Sequence, residues 1–262
     1  MNESTNSEKK MVFRQTQRVL GRHVAVTPSN STNKHLCYGR IVLDSSLLSV
    51  SFANKTHETG LICLSGAATV RTGERTFTFG QYDSIYIPRN SEIEIVTSSR
   101  VDFAEFSAEV ANLYPLYFVP FEDVMKDPKL RFNTGSGGST RKVNICLGQN
   151  IEAGRLLVGF TVSETGNWTS WPPHEHAKML EEIYVYINMP APGFGLQMVY
   201  NNTEYPEFVV AVREGDAVLI PSGYHPNVAV PGYSIGFLWA MAAHNEKEDR
   251  RYGVFNFQPE FN

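Results

Sequence analysis

A chain of 262 residues is long enough for one large domain, or for two of about 130 residues each, with a well-buried core. Hydrophobic residues make up 42% and charged residues 19%, an ordinary globular balance, and no uninterrupted apolar run approaches the roughly 20 residues that span a bilayer. The formal net charge of -4 speaks against nucleic acid as a partner, because phosphate binding needs a basic face; an anionic ligand would have to be met by local positive charge.

The first ten residues are polar and carry acids, unlike a signal or transit peptide, so a loose tail and a cytoplasmic location are expected. Cys37, Cys63 and Cys146 are widely spaced and form no Cys-x-x-Cys pair. Their odd number favours reduced thiols.

Residues 49–106 read as a succession of short strands. Leu61-Ile-Cys-Leu, Ala68-Thr-Val-Arg, Thr76-Phe-Thr-Phe, Ser84-Ile-Tyr-Ile, Glu92-Ile-Glu-Ile-Val and Asp102-Phe-Ala-Glu-Phe are bounded by Gly66, Gly73, Gly80 and Pro88. Ile93 and Ile95 alternate with Glu92 and Glu94, the period of a half-buried strand. An aromatic, proline-punctuated stretch follows at 114–130, and then the Gly/Ser cluster at 133–140, either a linker or a functional loop. That cluster predicts a division into residues 1–132 and 133–262.

Strand-like runs resume with Val143-Asn-Ile-Cys-Leu, Leu156-Leu-Val-Gly-Phe-Thr-Val, Ile183-Tyr-Val-Tyr-Ile and Gly195-Leu-Gln-Met-Val-Tyr. Phe208-Val-Val-Ala-Val, Ala217-Val-Leu-Ile and Ile235-Gly-Phe-Leu-Trp complete the second series. Long amphipathic helices are scarce, so the predicted class is all-β, a sandwich or barrel. The two series echo one another: Gly80-Gln-Tyr-Asp-Ser-Ile-Tyr-Ile-Pro88 parallels Gly215-Asp-Ala-Val-Leu-Ile-Pro221. Only the second copy runs on to a histidine, His225, which predicts a duplicated β-barrel with one metal site, in its C-terminal copy.

The rest of that site would come from Pro172-Pro-His174-Glu-His176. Residues two apart in an extended chain point to the same side, so His174 and His176 can converge on one ion. A carboxylate follows at Glu181 or Glu182, and alternation lets only one of them face the metal. Neutral imidazoles with one carboxylate suit Zn, Mn, Fe or Ni, with Zn or Mn the expected ion, and leave coordination positions open for water or substrate. His57 and Glu58 are adjacent and would point to opposite faces of a strand, and His23, His35 and His244 read as surface residues.

His174-x-His176, the Glu, and Gly215-x5-Pro221-x-Gly223-x-His225 resemble the paired signature of the cupin superfamily, whose fold is a small jelly-roll barrel. More narrowly, Gly166-Asn-Trp-Thr-Ser-Trp-Pro-Pro-His-x-His, Glu182-Ile-Tyr-Val-Tyr, Gly193-Phe-Gly-Leu-Gln197-Met-Val-Tyr200 and Pro221-Ser-Gly-Tyr-His-Pro resemble one bicupin family. It holds 5-deoxy-glucuronate isomerase of myo-inositol breakdown and the ketol-isomerase acting on 4-deoxy-L-threo-5-hexosulose uronate in pectin breakdown. The short loop from His176 to Glu182 is closer to the second group, and most of the remaining likeness favours the first. The resemblance implies a bicupin with a metal-free first half and a metal-dependent aldose-ketose isomerase acting on a deoxy-uronate. Aligned on Ile-Tyr-Val-Tyr, it makes Glu182 the carboxylate ligand and leaves Glu181 as a solvated residue or the proton shuttle. Lys178 and Arg141 are candidates for the substrate carboxylate, and Gln197, Tyr184 and Tyr200 for sugar hydroxyls. A different cupin enzyme such as a dioxygenase, a non-catalytic sugar-binding protein, and a homo-oligomer paired through barrel edges remain open alternatives.

Overall fold

In the computed structural model, residues 10–261 are described; the expected N-terminal tail lies outside them apart from Lys10. The alternating and apolar runs fold as strands close to where turn residues bound them, with Ser84–Ile87, Glu92–Val96, Phe208–Val212 and Ala217–Ile220 at the expected limits. Among the described residues the helical content is one short α-helix, Phe121–Lys126, and two 3-10 turns.

Among the described residues the strands make two large sheets, two of four strands and one two-stranded pair. In order across the six-stranded sheet lie Tyr117–Val119, Ser84–Ile87, His57–Ser65, Val101–Glu109, Cys37–Leu43 and Gly21–Val26. Across the seven-stranded sheet lie Val12–Phe13, Ala217–Ile220, Leu180–Tyr186, Gly236–Ala243, Leu156–Ser163, Arg141–Leu147 and Arg131–Thr134. A four-stranded sheet covers each: Ser49–Ala53, Glu92–Val96, Ala68–Thr72 and Arg75–Phe79 in the first half, Trp168–Thr169, Asn227–Ala229, Gly195–Val199 and Phe208–Val212 in the second. The echoing segments Ser84–Ile87 and Ala217–Ile220 hold the same second place in their sheets, beside His57–Ser65 and Leu180–Tyr186. The duplication is thus topological, and each half is a jelly-roll-like sandwich with open edges, where closed barrels were expected. The seven-stranded sheet takes its first strand, Val12–Phe13, from the start of the chain, and Arg131–Thr134 straddles position 132/133.

Three apolar cores result. One lies inside each sandwich, and the third joins Tyr38, Ile62 and Phe106 of the six-stranded sheet to Leu156, Ile183 and Leu238 of the seven-stranded sheet. The large sheets therefore pack face to face, and their central strands are buried on both sides: every residue of Cys37–Leu43, Leu180–Tyr186 and Gly236–Ala243 is buried. Such strands show no period-two alternation, which is why Cys37–Leu43 escaped the sequence reading. It also carries Arg40, a residue expected outside but buried here by a two-pronged pair with Asp102 at 2.6 and 2.9 Å.

Two carboxylates bind the sandwiches to each other reciprocally. Glu58, second in its strand, accepts the backbone N–H groups of Gly154, Arg155 and Leu156 at 2.7–2.8 Å and the Tyr86 hydroxyl at 2.7 Å. Glu181, second in the matching strand of the other half, accepts the N–H groups of Lys34, His35 and Leu36 at 2.6–2.7 Å. Each carboxylate thus caps the entry to a strand of the opposite half.

Candidate metal centre

Alternation along Leu180–Tyr186 decides between the two glutamates. Glu181 points across the sheet interface to residues 34–36, and Glu182 points the other way, into the C-terminal sandwich. There the Glu182 carboxylate lies 3.1 Å from His176 Nε2 and 3.3 Å from His225 Nε2. One nitrogen from each of His174, His176 and His225 falls within 4.8 Å of the others. His174 belongs to the two-residue strand His174–Glu175, paired with Asn256–Phe257 near the end of the chain. His225 follows the tight turn at Gly223, whose φ of +91° and whose closeness to the Tyr200 carbonyl, 2.8 Å from where a Cβ would sit, both require glycine.

The backbone orients all three rings. His174 Nδ1 donates to Pro172 O at 3.1 Å, His225 Nδ1 to Gly223 O at 2.9 Å, and His176 Nδ1 more loosely to Leu180 O at 3.4 Å. A carbonyl only accepts, so each Nδ1 carries a proton and each Nε2 is left to face the cluster. Burial, and then the neighbouring His176, hold His174 down at about 4, and burial holds His225 well below the usual imidazole range. Burial also pushes His176 down, but its hydrogen bond to Glu182 and the charge of that carboxylate outweigh it, leaving His176 raised; Glu182 is raised by burial. Glu182 Oε1 and His225 Nε2 are buried with no hydrogen-bond partner. Buried acceptors facing one another in this way are matched by a cation, and three imidazoles with one carboxylate are the donor set of a divalent transition metal.

His174, His176 and Glu182 line a cavity of about 620 Å³, the size of a small-molecule site. Arg141 and Tyr184, two of the candidates for substrate contact, line it too. Two Arg141 N–H groups donate to Ser139 O and Trp171 O at 2.9 and 2.8 Å, and among the described residues no carboxylate pairs with its guanidinium. The Tyr184 hydroxyl is shared with Ser170 Oγ at 2.7 Å.

The other candidates lie elsewhere. Lys178 is exposed and outside the cavity wall. Gln197 is fully buried behind His225, donating to the His225 carbonyl at 3.0 Å and bonded to the Tyr186 hydroxyl, so it supports the turn and does not face a ligand. Tyr200 donates to Gln258 at 2.7 Å and holds the C-terminal segment. Glu181, expected as a shuttle or solvated residue, is neither: it is 2% exposed, and its two oxygens are taken by backbone N–H groups on the far side of the sheet.

Two parts of the wall were missed or left open by sequence. The Gly/Ser cluster, open between a linker and a functional loop in the sequence, borders the cavity with Thr134, Gly135, Ser136 and Ser139. The C-terminal strap contributes Arg251, Tyr252, Phe255 and Phe257, with the Phe255 ring 4.7 Å from that of His174. The aromatic spacing of Tyr252-Gly-Val-Phe-Asn-Phe was the available signal, but nothing local says which site such a tail covers.

Fold and site together define a bicupin with, among the described residues, a single candidate metal centre, in its second sandwich. The chain matches the KduI/IolB family over residues 10–262 and belongs to it. It is 30% identical over 239 residues to the 5-deoxy-glucuronate isomerase of Geobacillus kaustophilus (strain HTA426), covering 85% of this chain and 84% of that one. Its fold is similar to the crystal structure of an IolB-like protein from Salmonella typhimurium LT2, with a TM-score of 0.84 at 24% identity over 96% and 98% of the two chains. It is also similar in fold to the oxalate decarboxylase of Bacillus subtilis, a protein with Mn(II) centres, with a TM-score of 0.65 at 12% identity over 95% and 79% of the chains. The protein is an enzyme of the isomerase class, an intramolecular oxidoreductase.

Proposed function

We propose that this enzyme converts 5-deoxy-D-glucuronate to 2-deoxy-5-keto-D-gluconate in inositol catabolism, with one divalent metal, Zn or Mn, held by His174, His176, Glu182 and His225. The observation that carries the reading is one cavity lined by both the imidazole–carboxylate residues and the unpaired guanidinium of Arg141. A uronic acid has groups to match both, a carbonyl and a carboxylate. Such a metal acts as a Lewis acid on a carbonyl and its neighbouring hydroxyl.

The residues of the chain do the rest. The Nδ1 hydrogen bonds fix the orientation of the three imidazoles and aim them at the cluster. Arg141, fixed by two backbone carbonyls, presents its remaining N–H groups to the substrate carboxylate and sets which end of the sugar enters first. Trp171, Trp239 and Phe255 exclude water around the reacting carbons and strengthen the charge interactions there. The metal-free first half is a scaffold that clasps the strand bearing Glu182 through residues 34–36.

The test gives purified protein 5-deoxyglucuronate and 4-deoxy-L-threo-5-hexosulose uronate separately and follows aldehyde-to-ketone conversion by NMR, with and without a chelator. Turnover of the first, abolished by the chelator, is expected. Preference for the second would move the enzyme to the pectin-type reaction, which the short loop from His176 to Glu182 favours. No turnover of either with metal bound would refute the isomerase reading of this site.

A further inference from the structure

Building on that proposed reaction, we infer that Tyr252, carried into the cavity by the C-terminal strap, is a catalytic residue whose hydroxyl donates a hydrogen bond to the substrate oxygen that gains negative charge during isomerisation. Several polar groups of the cavity wall are engaged with one another or with the backbone. Tyr184 and Ser170 bond to each other, Ser139 Oγ donates to Ser136 O at 2.7 Å, and Arg141 spends two N–H groups on carbonyls. The Tyr252 hydroxyl has no hydrogen-bond partner among the described residues, although its ring lines the cavity.

The ring itself is fixed. It stacks on Trp239 with centroids 5.2 Å apart and planes 25° from parallel, and Trp239 pairs with Tyr184, two residues beyond Glu182 in the neighbouring strand. Beyond Tyr252 the strap is clipped down at three points: Asn256–Phe257 pairs with His174–Glu175, Asn256 Nδ2 donates to Glu175 at 2.6 Å, and the Gln258 N–H donates to Pro173 O at 2.8 Å. A rigid ring with a free hydroxyl is a preorganised donor, which stabilises developing charge without reorganising at the moment of reaction. Burial, with the nearby Glu182 carboxylate adding to it and Arg141 opposing it, pushes this hydroxyl up to about 12, so at neutral pH it keeps its proton and donates.

Tyr252→Phe keeps the ring and its stacking and removes only the donor. With wild type assayed in parallel on 5-deoxyglucuronate, the variant is expected to lose about 10²–10³-fold in kcat with KM changed by less than about threefold, at unchanged metal content and Tm. It should also bind a hydroxamate analogue of the enediolate at least tenfold more weakly than wild type does, by calorimetry, while affinity for the open-chain polyol acid is unchanged. A kcat within threefold of wild type, or a loss confined to KM, overturns the inference. If the variant fails to fold, 3-fluorotyrosine at 252 supplies the second test: its more acidic hydroxyl should move the alkaline limb of the rate profile to lower pH, and an unmoved limb overturns the inference. Absence of wild-type turnover would instead count against the proposed reaction.

Discussion

Glu181 is the residue at which the fold and the chemistry make opposite predictions. If its carboxylate is the clasp that the geometry describes, Glu181→Ala leaves the N–H groups of Lys34, His35 and Leu36 without their acceptor. Lys34 is exposed and its N–H can turn to water, but Leu36 is fully buried and His35 is partly so. At about 1–3 kcal/mol for each buried donor left unpaired, two donors put the loss at about 2–6 kcal/mol. That is a large share of the roughly 5–15 kcal/mol that holds a typical domain together. Urea denaturation followed by tryptophan fluorescence measures it. Glu181→Gln, which keeps one acceptor oxygen, should lose less and leave kcat of the folded enzyme within about twofold. Removing a proton shuttle would instead cost about 10²–10⁴-fold in kcat. Unchanged stability together with a hundredfold drop in kcat would refute the clasp.

His225→Ala is expected to cut bound metal strongly, measured by elemental analysis after dialysis, whereas His57→Ala leaves it unchanged; equal loss in both would overturn the single-site reading. Arg141→Lys keeps the charge but loses the planar fork, and should raise KM for a uronate about tenfold or more while leaving KM for a neutral aldose of the same length little changed. Without metal the protein should lose stability as pH falls from about 6.5 towards 4. Unfolded His174 and His225 take up protons in that window while burial keeps their folded pKa values lower, so the unfolded state binds more protons. His176, shifted upward, opposes this in part. Thermal melts of chelated protein across that window check the sign, and a Tm that rises on acidification would contradict it.

Much of the site was legible in the chain because its signals are local. His174-x-His176 and Pro221-Ser-Gly223-Tyr-His225 are short stretches whose geometry follows from an extended strand and a glycine turn. Strand alternation likewise dictates that Glu181 and Glu182 face opposite ways. What alternation cannot say is which side holds the other sandwich and which the cavity. Gln197 and Tyr200 sit on strands near the site, yet one props His225 and the other holds the strap. Lys178 is near in sequence and outside the cavity. Side-chain direction at these positions depends on the sheets packed above and below them, about which neighbouring residues carry no information.

The amino-acid order by itself determined an all-β duplicated chain with a metal-type cluster in its second copy, since turn residues, strand periodicity and ligand spacing are properties of short segments. Tertiary structure alone decided the rest. It buried Cys37–Leu43 between two sheets, with Arg40 neutralised by a residue 62 positions away. It brought residues 34–36 onto Glu181 across 145–147 positions, and the strap from the end of the chain over His174. These contacts exist because two sandwiches, each with an apolar face left over, gain most by packing those faces together, and the partners that meet there are chosen by the sheets' alignment in space.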